Sequence, residues 1–390
     1  MVKRKRAGWF NTYNLFIILV ILVLSILFSF SFMLPEGSVS LCWAKESPAF
    51  INAEAISNFG KYVAVGTNLG LLTVYDSNGK VVLEKLFKEP ILDLKFSYDE
   101  SHIYVKSYSV YAVNIKNNSV VWEKFLKNHF VSDFYPFKGG NLGFVFTSKT
   151  ELSNLYIYTD YRGRNIKQFE LPEAYGRFKI NASLNGKYLL FSSDEGSVYN
   201  IRYDGYVNWN TFLDPPIYKN STDSYPILQE INNDGSTCIS YTYEKFGKKG
   251  NILSFFDING QIIWQKEFDS KINSINFSQD SKKVGLSNSS GVIIYRTDGT
   301  ILYVNNQYGY ESVISLVLPT SFLVGYMPTE DESYLASKRS IIIKFFSLYS
   351  NKLIYQKRLN SKNDYFLLSH DGLYFFEISK PFLIKLYKYS

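Results

Sequence analysis

The chain of 390 residues is too long for one ordinary compact core and long enough for two or three domains, or for one large repetitive fold. Its 42 Lys and Arg against 35 Asp and Glu give +7, of which Lys3, Arg4, Lys5 and Arg6 supply four, so the remainder is too weakly basic for an electrostatic nucleic-acid binder. With 46% hydrophobic and 17% aromatic residues it is too apolar for a disordered chain, and two distant cysteines, Cys42 and Cys238, exclude a disulfide scaffold and a cysteine-built metal centre.

The first predicted element covers residues 15–34, LFIILVILVLSILFSFSFML. It carries no charge, and as a helix it would span about 30 Å, the thickness of a hydrocarbon core. A basic tail, residues 1–14, precedes it and no matching cluster follows Pro35. The positive-inside rule therefore predicts a cytoplasmic tail, a single pass through the lipid bilayer, and the rest of the chain outside the cell membrane. Trp9, Phe10 and Tyr13 fit the interfacial aromatic belt. A cleaved signal peptide, with Ser29 and Ser31 as its small-x-small site, is the competing reading, but such apolar regions usually run about 7–15 residues. Arg6-Ala7-Gly8 ahead of the run also resembles an archaeal pilin-type leader, whose removal would leave the helix in place.

After Ser38 the sequence repeats itself. A turn whose Gly or Asn is followed four residues later by an aromatic recurs: Asn118 to Trp122, Gly205 to Trp209, Gly260 to Trp264, Gly299 to Tyr303, Asn351 to Tyr355. Gly79 leads to Leu83 in the same register, and Gly163 leads to Lys167, which marks a divergent unit. Tyr- and Phe-rich runs broken by Asn, Asp and Gly read as short strands joined by tight turns, with almost no helical period. Each unit is four strands, a to d. Seven copies are complete, and the eighth stops after strand c. Leu41-Cys42-Trp43-Ala44-Lys45-Glu46 reads like the outer strand of a unit, so residues 38–46 are expected to complete the eighth sheet and close a ring. The 353 residues from Ser38 to Ser390 give about 44 per unit, within the propeller-blade range. The expected fold is all-β: an eight-bladed β-propeller, residues 38–390, preceded by one transmembrane helix. Seven blades are the alternative, if the unit around Phe130 to Ala174 merges differently.

Asp257, Gly260 and Trp264 form an Asp-x-x-Gly turn followed by x-x-x-Trp, which resembles the repeat of pyrroloquinoline-quinone-like propellers. Asp76, Gly79 and Leu83 keep the turn without the tryptophan; Asp204, Gly205 and Trp209 keep the tryptophan with a shortened turn. The Ser, Asp, Gly and Lys of the a-to-b turns also look like WD40-like propellers, although no Trp-Asp dipeptide or Gly-His pair occurs. The resemblance implies either a quinone-dependent dehydrogenase or a cofactor-free scaffold, such as the propeller lipoprotein of bacterial outer-membrane assembly. Fold does not choose between them. The dehydrogenases would bring adjacent cysteines, a Glu, Asn and Asp metal site and a catalytic Asp, and this chain has no Cys-Cys pair and no haem motif.

His102, His129 and His370 occupy different repeat positions, no Gly-x-Ser-x-Gly elbow occurs, and the turn acids have ordinary turn chemistry. No catalytic, cofactor or metal residues are assigned. Asn117, Asn181, Asn220, Asn276 and Asn288 begin Asn-x-Ser/Thr sequons. In a propeller the d-to-a and b-to-c connections share one end, here called the upper rim, and loops on a rigid scaffold are the usual binding surface. Tyr218 and Tyr225 in the 214–225 loop, Tyr308 and Tyr310 in another, and Glu330, Asp331 and Glu332 in a long insertion are the partner-binding candidates. The expected function is a non-catalytic scaffold that binds another protein or a cell-envelope component, as a subunit of a larger assembly. The alternative is an extracytoplasmic oxidoreductase or other enzyme using the central funnel.

Overall fold

The computed structural model describes residues 39–389 apart from 138–140, 149–153, 171–177, 184, 194–195, 205, 214–227, 246–247, 279, 307–309, 318–320, 329–341, 349–352, 359–363, 370–373 and 380–382. The described chain is all-β, arranged as repeated four-stranded antiparallel sheets. Sheets 1 to 7 follow one another along the chain (51–86, 93–124, 129–170, 178–212, 228–268, 272–306, 310–358), each running from an inner strand a to an outer strand d. Sheet 8 takes strands a to c from Asp364–Leu368, Tyr374–Ser379 and Leu383–Tyr389. Its strand d is Val39–Glu46, which pairs antiparallel with strand c and places Trp43 opposite Leu386. The inner strands touch one another in chain order, and that of sheet 8 touches that of sheet 1. Among the described residues no helix is long and apolar enough to cross a membrane; residues 15–34 lie outside them.

Burial follows strand position. Strands b and c, such as Tyr62–Thr67 and Leu71–Asp76, are almost continuously buried, because each sheet packs against a neighbour on both faces. The a-to-b turns are fixed by their own side chains. Asp99 Oδ1 accepts from Ser97 Oγ at 2.7 Å, and Asp280 holds Ser278 in the same way. Glu100 (φ 57°) and Ser281 (φ 60°) take the left-handed position that Gly60, Gly186 and Gly235 fill elsewhere.

The repeat tryptophan is a joint between sheets. A Cβ on Gly163 would lie 2.5 Å from Trp122 Cγ, and one on Gly260 2.7 Å from Trp209 Cγ, so only glycine lets the ring lie on the turn. Trp43 meets Gly79 and Trp264 meets Gly299 in the same manner. In every case the tryptophan belongs to strand d of one sheet and the glycine to the c-to-d turn of the next. Trp122 and Trp264 also donate Nε1–H to that next turn, to Tyr161 O at 3.1 Å and Thr297 O at 3.0 Å.

The outer strands are sheet edges, and each has an irregular register immediately before its aromatic or equivalent residue. Such a bulge twists an edge and blocks edge-to-edge pairing. It also turns consecutive residues outward, as with Val120 and Val121, Ile262 and Ile263, and Ile301 and Leu302. Leu41, Val81, Ile166, Val207 and Leu353 are exposed at the same place in the other outer strands. All of these lie at the end carrying the a-to-b and c-to-d turns, the lower rim.

Candidate binding surface and central channel

Of the partner-binding residues predicted from sequence, Tyr310 opens the inner strand of sheet 7, its backbone opposite Pro328. Tyr218, Tyr225, Tyr308, Glu330, Asp331 and Glu332 lie outside the described residues. The described upper rim carries a surface that the sequence reading did not single out. Phe50, Leu69, Leu92, Tyr108, Phe125 and Phe130 are all exposed there, on sheets 1 to 3. Tyr108 and Leu69 sit in b-to-c turns, which a buried-strand pattern leaves unassigned. Phe125 and Phe130 flank a d-to-a connection, so chain distance hides their proximity. Between sheets 2 and 3, Leu92, Tyr108, Phe125 and Phe130 line a cavity of about 340 Å³ with Lys106, His129 and Ser132. Lys106 Nζ donates to Ser132 O at 2.9 Å, and burial holds its ammonium below the usual lysine range. His129 Nδ1 donates to Lys127 O at 3.0 Å, which fixes the ring by its own loop. The groove is apolar and aromatic with a few fixed polar groups, the make-up of an interface core.

A second cavity, about 530 Å³, opens at the lower end of the inner strands and is lined by Glu54, Lys95, Tyr98, Tyr135, Ser183 and Leu367 among others. Its charges are tied into the scaffold. Lys95 Nζ lies 3.2 Å from Asp133 Oδ1 and donates to Phe134 O at 2.7 Å, while Asp133 Oδ2 accepts the Ile180 N–H at 2.9 Å. One lysine and one aspartate thus bridge sheets 2, 3 and 4. Burial pushes the Asp93 carboxyl up against the opposing pull of Lys95. Glu230, on the inner strand of sheet 5, is half-buried and ringed by protein, and desolvation pushes its carboxyl up to about 8. Tyr135 is pushed up by burial and by the charges of Glu230 and Asp133.

The two described histidines, His102 and His129, do not come together. Ser101 Oγ is 2.7 Å from His102 Nδ1 and 2.9 Å from both Asp99 carboxylate oxygens. The serine stands between acid and base, whereas a hydrolase triad needs the histidine there. Among the described residues no three His, Cys, Asp or Glu side chains gather into a metal-binding group. Cys42 is exposed, and Cys238 is buried with its thiol pushed up by desolvation. Of the sequons, Asn117 is exposed, Asn181 donates to Gln229 O at 2.6 Å, and Asn288 is buried.

Sheets arranged around an inner-strand channel, with an apolar groove on one rim, define a β-propeller of WD40-like architecture. Solved structures agree at the level of fold. The C-terminal WD40 domain of Sif2 superposes with a TM-score of 0.61 at 13% identity, covering 89% of this chain and 97% of its own. The Dos1 propeller gives 0.61 at 12%, covering 90% and 95%, and BamB from Moraxella catarrhalis gives 0.57 at 10%, covering 90% and 100%. No protein-family model matches the chain. No curated protein matches it either.

Proposed function

We propose that this protein is a membrane-anchored, externally displayed eight-bladed propeller that acts as a non-catalytic scaffold for another protein, within a larger assembly. Residues 1–14 form its cytoplasmic tail, residues 15–34 its single membrane span and residues 38–390 its propeller, with 38–46 closing the last blade. The pyrroloquinoline-quinone-like turn signature serves blade packing in this reading, since its tryptophans and glycines are occupied with one another. One observation carries the proposal: the exposed aromatic groove on the upper rim of sheets 2 and 3. Tyr and Phe anchors in a concavity supply most of the energy of a protein interface. The same partner-binding role is proposed for Tyr310 and, outside the described residues, for Tyr218, Tyr225, Tyr308, Glu330, Asp331 and Glu332.

The test is photocrosslinking in native membranes from positions 108 and 125, with position 257 on the lower rim as control. A discrete protein adduct from the upper positions, lost when Phe130 is changed to Ser, is the expected result. Adducts no different from those at position 257 would overturn the assignment.

A further inference from the structure

We infer that the lower rim is a lipid-contacting ring, resting on the headgroup and outer acyl region of the bilayer around its circumference. The inference deepens the membrane-anchored reading and rests on it. Each outer strand presents exposed branched aliphatic side chains at the bulge before its repeat aromatic or the equivalent residue, and all are at one end of the molecule. Strand propensity alone does not explain this. Past that position, the exposed described residues of the same strands are mostly charged or amide, such as Glu123, Gln265 and Glu267, with Ala44, Leu86, Phe212 and Val304 the exceptions. An edge that needed only β-formers would not sort them by height.

Three further observations select lipid as the occupant. The outer strand of sheet 8 opens at Val39 on this rim. Only residues 35–38 separate it from the twenty-residue uncharged run, and four extended residues reach about 13 Å. The rim cannot stand far from a bilayer entered by that run. The c-to-d turns of the same rim carry amphipathic pairs: the Arg162 guanidinium lies 5.1 Å from the exposed Tyr161 ring, and that of Arg202 5.1 Å from the exposed Tyr206 ring. Aromatic rings beside cations, with aliphatic side chains between them, are the composition of a headgroup-level surface, where apolar groups enter about 5–10 Å.

The test uses the full chain in vesicles of phosphatidylcholine and phosphatidylglycerol containing brominated acyl chains. An environment-sensitive fluorophore is placed on Cys42, or, in a Cys42→Ser background, on Val121→Cys, Ile166→Cys, Ile262→Cys or Asp269→Cys. Cys42 reports the point of chain entry, and the next three sample the rim away from it. Asp269 lies past the other end of the Ile262 strand, about 20 Å away. We expect quenching at positions 121, 166 and 262 at least about twofold stronger than at 269. Quenching at Cys42 alone, or equal signals at 262 and 269, would overturn the ring while leaving the anchor intact. Failure of the chain to float with the vesicles would overturn the anchor, and the ring with it.

Discussion

The joint between sheets 2 and 3 and the joint between sheets 3 and 4 solve one packing problem differently. At the first, Trp122 lies over Gly163, donates to Tyr161 O and is flanked by Tyr104 and Phe144 at ring distances of 6.0 and 6.4 Å. At the second, Lys167 stands exposed where the tryptophan would be. That joint is closed nearer the axis, by Tyr156 edge-on to Phe191 at 5.1 Å and by the Asp133 to Ile180 hydrogen bond. A wedge between diverging sheets can be filled at its outer end by one large ring, or nearer its inner end by a tyrosine–phenylalanine pair and a half-buried polar stitch. The family-like signature therefore marks where a joint is filled at its outer end.

The sharpest way to break this comparison is to remove the outer filling. Trp122→Ala should cost about 3–5 kcal/mol, with Gly163→Val of similar size because the added Cβ displaces the ring. Lys167→Ala should cost under about 0.5 kcal/mol. Urea unfolding of the detergent-solubilised chain measures all three, and a Lys167→Ala loss as large as that of Trp122→Ala would end the distinction. Next in size, Asp133→Ala leaves Lys95 and the Ile180 N–H without their shared carboxylate and should cost about 2–3 kcal/mol, against near-neutrality for the exposed Asp269→Ala.

The smallest effect lies on the channel wall. Because Glu230 holds its proton up to about 8 in the folded state against an ordinary 4.5, the native chain binds the extra proton between those values. Stability from this group is complete below about 4.5, falls as pH rises through 8 and is then level. Glu230→Gln should remove that slope, worth roughly 2 kcal/mol after allowance for its contact with channel solvent. Thermal unfolding between pH 5 and 9 reads it; an unchanged slope would place Glu230 in water.

Much of the fold was legible because strand alternation and turn chemistry are local. The a-to-b turns at Asp99, Asn185 and Asp280 and the four-strand repeat could be read from residue order. The meaning of the Gly-to-Trp spacing could not. Within one unit it looks like a single motif, yet the glycine under Trp209 is Gly260 of the following sheet, and Gly163 stays in a unit whose own tryptophan position is Lys167. The candidate surface was legible only as an end of the molecule. Its described aromatics, Tyr108 and Phe125, escaped notice because a lone exposed ring in a turn has no periodicity.

By itself the sequence determined strands, turns and their period, because each depends on neighbours a few residues away. It also marked Leu41 to Glu46 as an outer strand through Trp43. It also led to the expected pairing of that strand with the C-terminal strands, which the structure shows as Val39–Glu46 against Leu383–Tyr389. Only the tertiary structure decided that each tryptophan serves the sheet after its own, and that exposed aliphatics from every outer strand fall on one rim. The physical reason is that these are contacts between sheets. They follow from burying both faces of every sheet around a closed path, which no local stretch of chain specifies.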